Sequence, residues 1–190
     1  TRPGQVFDVD PSRSAELGRV GAEVSGSGPR VFDAGLQPTC DLFVLEVDRP
    51  FESWTVVGRT GESVRELRFA ELGLDPAKEY LVYEFWTKRL LGSFVGGFAP
   101  GPVDPLFRCQ ALVIRERRPC PQVVATSRHV TCGGVDLADV RWEEGTLSGR
   151  SAVVAGDPYD ILLTEPEGYR LDGFECPEVP SLELAREGGL

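Results

Sequence analysis

Apolar and polar positions alternate along this chain in short runs, and the runs have the two-residue period of strands. Leu42-Phe43-Val44-Leu45 with Val47 is almost continuously apolar, as expected of a strand covered on both faces. Trp54 to Val57 follows, and Arg59-Thr60-Gly61-Glu62 predicts a hairpin turn leading into Val64 to Phe69. In that run Leu67 and Phe69 share one face, and Glu66 and Arg68 the other. Tyr80 to Trp86 alternates in the same way, with Leu81, Tyr83 and Phe85 on one side and Val82, Glu84 and Trp86 on the other. Leu90 to Phe94 is next, then a Gly/Pro loop from Gly96 to Pro105. Leu106 to Ile114 predicts the longest strand, stopped by Pro119 and Pro121 because proline cannot donate to a ladder. Gln122 to Thr126, Val135 to Trp142, Arg150 to Val154, Asp160 to Thr164 and Tyr169 to Phe174 complete the series.

No long window has a helical period; Glu71 to Leu74 and Leu182 to Glu187 predict single turns. Many short strands at regular spacing predict an all-β fold, an antiparallel Greek-key sandwich of about eight or more strands. Residues 1–40 are poor in apolar runs and read as a connecting arm, residues 41–176 as the sandwich, and residues 177–190 as a tail.

Charge narrows the partners. Twenty Lys and Arg against thirty Asp and Glu give a net charge of −10, which argues against a nucleic-acid surface or an anionic membrane surface. No apolar run approaches the roughly 20 residues of a membrane-crossing helix. Met and Asn are absent and Arg far outnumbers Lys, a bias that fits a GC-rich bacterial genome. A chain without Met is expected to be a piece of a longer polypeptide. Cys40, Cys109, Cys120, Cys132 and Cys176 form no Cys-x-x-Cys pair, so neither a zinc ribbon nor a redox motif is encoded. Reduced thiols in a cytoplasmic protein are the expectation, with one disulfide and a secreted location left open.

Three segments then stand out in order: Arg49 to Gly58 (RPFESWTVVG), Leu67 to Gly92 (LRFAELGLDPAKEYLVYEFWTKRLLG) and Arg118 to Trp142 (RPCPQVVATSRHVTCGGVDLADVRW). Together they resemble the C-terminal all-β domain that follows the (β/α)₈ barrel in α-galactosidase-clan glycoside hydrolases, melibiase-like and raffinose-synthase-like proteins among them. The likeness runs from about Arg49 to Tyr169, and Thr1 to Val9 resembles the exit from the barrel. After Val56-Val57 the family continues into Asn-Trp, whereas Gly58-Arg59 stands here. The resemblance implies a domain that packs on the barrel, with the catalytic aspartates in the barrel and none in this chain.

The residues themselves offer few alternatives. Glycoside hydrolysis needs two carboxylates facing each other across a sugar. The nearest sequence pairs are Asp157 with Asp160, Glu143 with Glu144, and Glu165 with Glu167. They read as solvated turn acids, so no catalytic residue is assigned. A free-standing hydrolase using acids near Asp157 is the weakest reading. His129 is the only histidine and reads as a loop anchor; a lone histidine predicts no metal site, and no cofactor motif is present. Trp54, Trp86 and Trp142 are candidates either for a domain interface or for stacking on a sugar. The favoured partner is the catalytic barrel of the same parent protein; an autonomous carbohydrate-binding module is the alternative.

Overall fold

The computed structural model describes residues 8–9, 30–32, 41–61, 66–176, 178 and 183–186. Thirteen strands and no helix are found among them, so the fold is all-β and almost wholly antiparallel. Most of the 1–40 arm and most of the 177–190 tail lie outside the described residues. Within the arm, β1 (Asp8–Val9) and β2 (Arg30–Phe32) are strands that join sheets.

A six-stranded sheet forms the centre, in the order β2, β3 (Leu42–Arg49), β4 (Glu52–Arg59), β9 (Gln110–Glu116), β6 (Glu79–Glu84) and β7 (Arg89–Val95). Both faces of β4, β9 and β6 are buried along most of their length, whereas β3, expected to be covered on both faces, leaves Phe43, Glu46 and Asp48 exposed. On one face Val44, Val57, Val82, Leu112 and Ile114 pack with Phe69, Leu72 and Phe98. The short pair β5 (Leu67–Arg68) and β8 (Gly97–Phe98) covers this side. On the other face Val47, Trp54, Val56, Leu81, Tyr83 and Val113 meet Val124, Ala125 and Cys132. That cover comes from β10 (Val123–Thr126), which pairs with β13 (Ile161–Leu163), and from the loop after β10. A fourth sheet, β1–β12–β11, with β11 at Leu137–Glu143 and β12 at Thr146–Ser151, adds Leu137 and Leu147 beside Val123. Each fully buried aliphatic or aromatic side chain contributes about 1.5–3 kcal/mol.

Several predicted boundaries move, for physical reasons. The Arg59–Glu62 turn does not make a hairpin with the next strand: β4 lies between β3 and β9, and β5 pairs with β8. Residues 62–65 are outside the described residues. The Tyr80–Trp86 strand ends at Glu84, because the Glu84 carboxylate accepts from the backbone N–H of Trp86 (3.2 Å) and Thr87 (2.7 Å) and folds the chain into a turn. Phe85 and Trp86 therefore sit on that turn, their rings edge to face at 5.1 Å, and not on opposite faces of a strand. The Leu106–Ile114 strand begins only at Gln110. Asp104 Oδ1 accepts from Leu106 N (2.8 Å), and Asp104 O from Arg108 N (2.8 Å), which closes a turn over 104–108 first. Tyr169 to Phe174 is not a strand.

Candidate functional site

Three groupings of side chains could carry function: a buried arginine, a buried carboxylate cluster and an exposed aromatic surface.

Arg115 lies on the inner face of β9 and is 1 % exposed. Its Nη1 donates to Glu52 Oε2 at 2.6 Å, Nη2 to the Cys132 carbonyl at 2.6 Å, and Nε to the Val124 carbonyl at 2.9 Å. The guanidinium carbon stands 3.6 Å from the centre of the Trp54 ring, and Trp54 Nε1 donates to the Thr131 carbonyl at 2.8 Å. Burial pulls the Arg115 pKa down, and the adjacent Glu52 opposes that. The loop can wrap this closely because Gly133 and Gly134 have no Cβ: one on Gly134 would stand 2.8 Å from Thr131 Oγ1. Cys132 is buried against the same knot, and desolvation pushes its thiol up to about 12. A protonated, enclosed thiol is no nucleophile.

The second grouping is Asp136, Tyr159 and Ser151. Tyr159 Oη donates to Asp136 Oδ2 at 2.6 Å and accepts from Ser151 Oγ at 2.5 Å. Burial raises the Asp136 carboxyl above its ordinary range, and desolvation with the Asp136 charge raises Tyr159. The cluster joins β12 to the loop before β11, since Ala152 N also donates to Asp136 O at 2.8 Å.

The sequence-derived candidates distribute as follows. Trp54 is 3 % exposed and stacked under Arg115. Trp142 is half-buried, edge to face with Tyr169 at 5.4 Å, beside a depression near Phe51 and Arg118 that encloses about 10 Å³, room for roughly one water. His129 lies on an exposed turn, where its Nδ1 faces Thr131 Oγ1 at 2.9 Å and its carbonyl accepts from Cys132 N. Four of the six candidate acids are held in surface ion pairs: Asp157 with Arg128 and Asp160 with Lys88, both at 2.8 Å, and Glu165 with Arg186 and Glu143, at the end of β11, with Arg141, both at 3.4 Å. No cluster of three metal-ligating side chains occurs among the described residues.

Trp86 alone of the three tryptophans presents an open ring. It is 37 % exposed and stacks on Phe107, 38 % exposed, with centroids 5.7 Å apart and planes 22° from parallel. Leu106, next in the chain, is 81 % exposed. Phe107 and Leu106 had no functional signal as strand residues; the turn that exposes them depends on Asp104. Both turns carry a non-glycine residue in the left-handed region, Lys88 (φ 53°) and Arg108 (φ 56°). Each such residue costs roughly 1–3 kcal/mol. Glu84 ties its turn to β9: beyond Trp86 and Thr87 it accepts from Thr87 Oγ1 at 2.5 Å and from Ala111 N at 3.1 Å.

No protein-family description, curated protein or solved structure matches this chain.

Proposed function

We propose that this chain is a non-catalytic all-β domain of an α-galactosidase-like glycoside hydrolase, packing on a (β/α)₈ catalytic barrel and stabilising it. One observation carries the reading. Two of the three segments through which the chain resembles that family, Arg49 to Gly58 and Arg118 to Trp142, contribute to the closed knot around Arg115: Trp54, Thr131, Cys132, Gly133 and Gly134 surround that guanidinium or form the loop that seals it. Asp157, Asp160, Glu143 and Glu165, meanwhile, are engaged with arginines and Lys88 at the surface. These are the properties of a scaffold. The test is hydrolysis of aryl α-galactosides. The 190-residue chain is expected to give no turnover. The complete gene product is expected to turn them over, and to lose activity faster on heating when Arg115→Leu loosens the β domain. Turnover by the chain itself, or a gene product without α-glycosidase activity, would refute the proposal.

A second reading, an autonomous carbohydrate-binding module, is favoured by the open Trp86 ring. Saturable quenching of the chain's fluorescence by galactosides, absent in W86F, would decide for it.

A further inference from the structure

We propose that the depression beside Trp142 is a binding site for a neutral, hydroxyl-bearing ligand, a saccharide, one hydroxyl of which enters between Glu52 and Arg118. The site lies apart from the Trp86 surface and does not depend on the packing of this domain on a barrel.

Three observations support it. First, a buried acceptor is left over. Glu52 Oε2 is taken by Arg115 at 2.6 Å, whereas Oε1 is buried and has no hydrogen-bond partner. A buried carboxylate oxygen without a donor is costly and calls for one. Oε1 is the oxygen on the Arg118 side, 3.7 Å from Nη2, which is beyond hydrogen-bond length. Both residues line the depression. An oxygen atom set to one side of that gap can stand about 2.8 Å from each, accepting from the guanidinium and donating to the carboxylate.

Second, the size selects a single group. The depression encloses about 10 Å³, the space of one hydroxyl, so a ligand inserts that group and keeps its body outside. Phe51 and Trp142 supply an apolar wall beside it, against which the C–H groups of a sugar ring can pack. Third, the charges select its type. A carboxylate or phosphate would meet the Glu52 anion, and an ammonium would meet Arg118 with Arg115 behind it. An amide carries its donor and its acceptor on different atoms. A hydroxyl carries both on one atom without net charge, and so suits both neighbours. Water shares that chemistry and is the competitor a ligand displaces; the apolar wall is what a sugar ring uses and water does not.

The experiment uses the 190-residue chain labelled with nitrogen-15, whose three tryptophans give three indole N–H resonances. W86F and W142F assign them. The chain is titrated with methyl α-D-galactoside and methyl α-D-glucoside, and with acetate and methylammonium as charged probes at constant ionic strength. The Trp142 indole and the amides of 51–52 and 118–123 are expected to shift saturably with at least one glycoside, at a Kd of about 1–30 mM. The Trp54 and Trp86 indoles are expected to stay in place, and the charged probes to leave Trp142 unmoved. In R118M the affinity should fall by about tenfold or more, with an unmoved Trp54 indole showing that the knot around Arg115 is intact. No saturable shift at Trp142 with either glycoside up to about 0.1 M would overturn the proposal and leave the depression to water alone. Unchanged affinity in R118M, or an equal shift with acetate or methylammonium, would overturn it too. A shift confined to Trp86 would overturn it in favour of the Trp86 surface. The hydrolysis test of the domain reading is decided separately from all of these.

Discussion

Removing the Glu52 carboxylate should be among the most damaging single changes that leave the core's shape unaltered. Arg115 is a full positive charge with 1 % exposure, and Glu52, 7 % exposed at its side chain, is the anion within bonding distance at 2.6 Å. Arg118 Nη2 approaches the other Glu52 oxygen at 3.7 Å from the solvent side and cannot replace it. In E52A the guanidinium keeps the Val124 and Cys132 carbonyls and the Trp54 face but loses its counter-charge. Breaking a buried pair from one side costs about 3–5 kcal/mol, because an uncompensated charge stays behind. The retained carbonyls and indole ring place E52A toward the lower figure, and E52Q, which keeps an acceptor, lower still at about 1–3 kcal/mol. Against a total stability of roughly 5–15 kcal/mol this is a large fraction. Urea unfolding followed by near-ultraviolet circular dichroism of the Trp54 environment measures it. With a slope of about 2 kcal/mol per molar, the E52A midpoint should drop by about 1.5–2 M at unchanged slope. In the E52A/R115M double variant the two costs should fall well short of their sum, since each single change strands the other's charge. A loss below about 1 kcal/mol for E52A, a value typical of exposed pairs, would show that Arg115 is not dependent on Glu52 and would refute the reasoning.

Gly133→Ala should destabilise by about 2–4 kcal/mol in the same urea assay. Its φ is +107°, and the added Cβ would lie 2.6 Å from Leu137 Cδ1; a change under 0.5 kcal/mol would mean the loop can move away. Asp136 makes stability fall as pH rises. Its folded pKa is raised by burial, so the native state holds a proton that the unfolded chain releases from the ordinary value of 3.8 upward. The contribution is present below that value and lost as pH climbs through the raised one. Urea midpoints measured across that window should therefore decline less in D136N than in the parent; parallel curves would contradict the assignment. Cys132 should stay unmodified by a thiol reagent in the native protein while the half-buried Cys109 and Cys120 react, because burial holds its thiol protonated to about 12. Peptide mapping after partial labelling identifies the sites, and early labelling of Cys132 would count against the closed knot.

The strands β3, β4, β6, β7 and β9 were legible in the sequence because each has its own apolar run, whereas β1 and β2 in the expected arm, β8 in the expected Gly/Pro loop and most of β12, with Leu147 as its single large apolar residue, were not. Leu67 and Phe69 on one face, or Val113 on the face opposite Leu112, follow from alternation alone. Strand ends were less legible where a carboxylate intervenes. Glu84 reads as the polar member of an alternating run, yet its side chain turns back onto the backbone and ends the strand, and Asp104 does the same ahead of Gln110. The resemblance marked Trp54 and the Arg128–Gly133 segment, but not what they surround: Arg115 lies seventeen residues from its Cys132 acceptor and sixty-three from Glu52.

The all-β class and the apolar composition of the inner strands follow from the order of residues alone, because these depend on neighbours one or two residues apart. The folded arrangement sets which strands pair, places β4 beside β9 and not β5, and completes a charged arginine in the interior. It also decided that Trp54 is covered while Trp86 stays open on Phe107. Pairing and burial are set by contacts between distant segments, and a residue's own type does not record which side of the sheet will be covered, or by what.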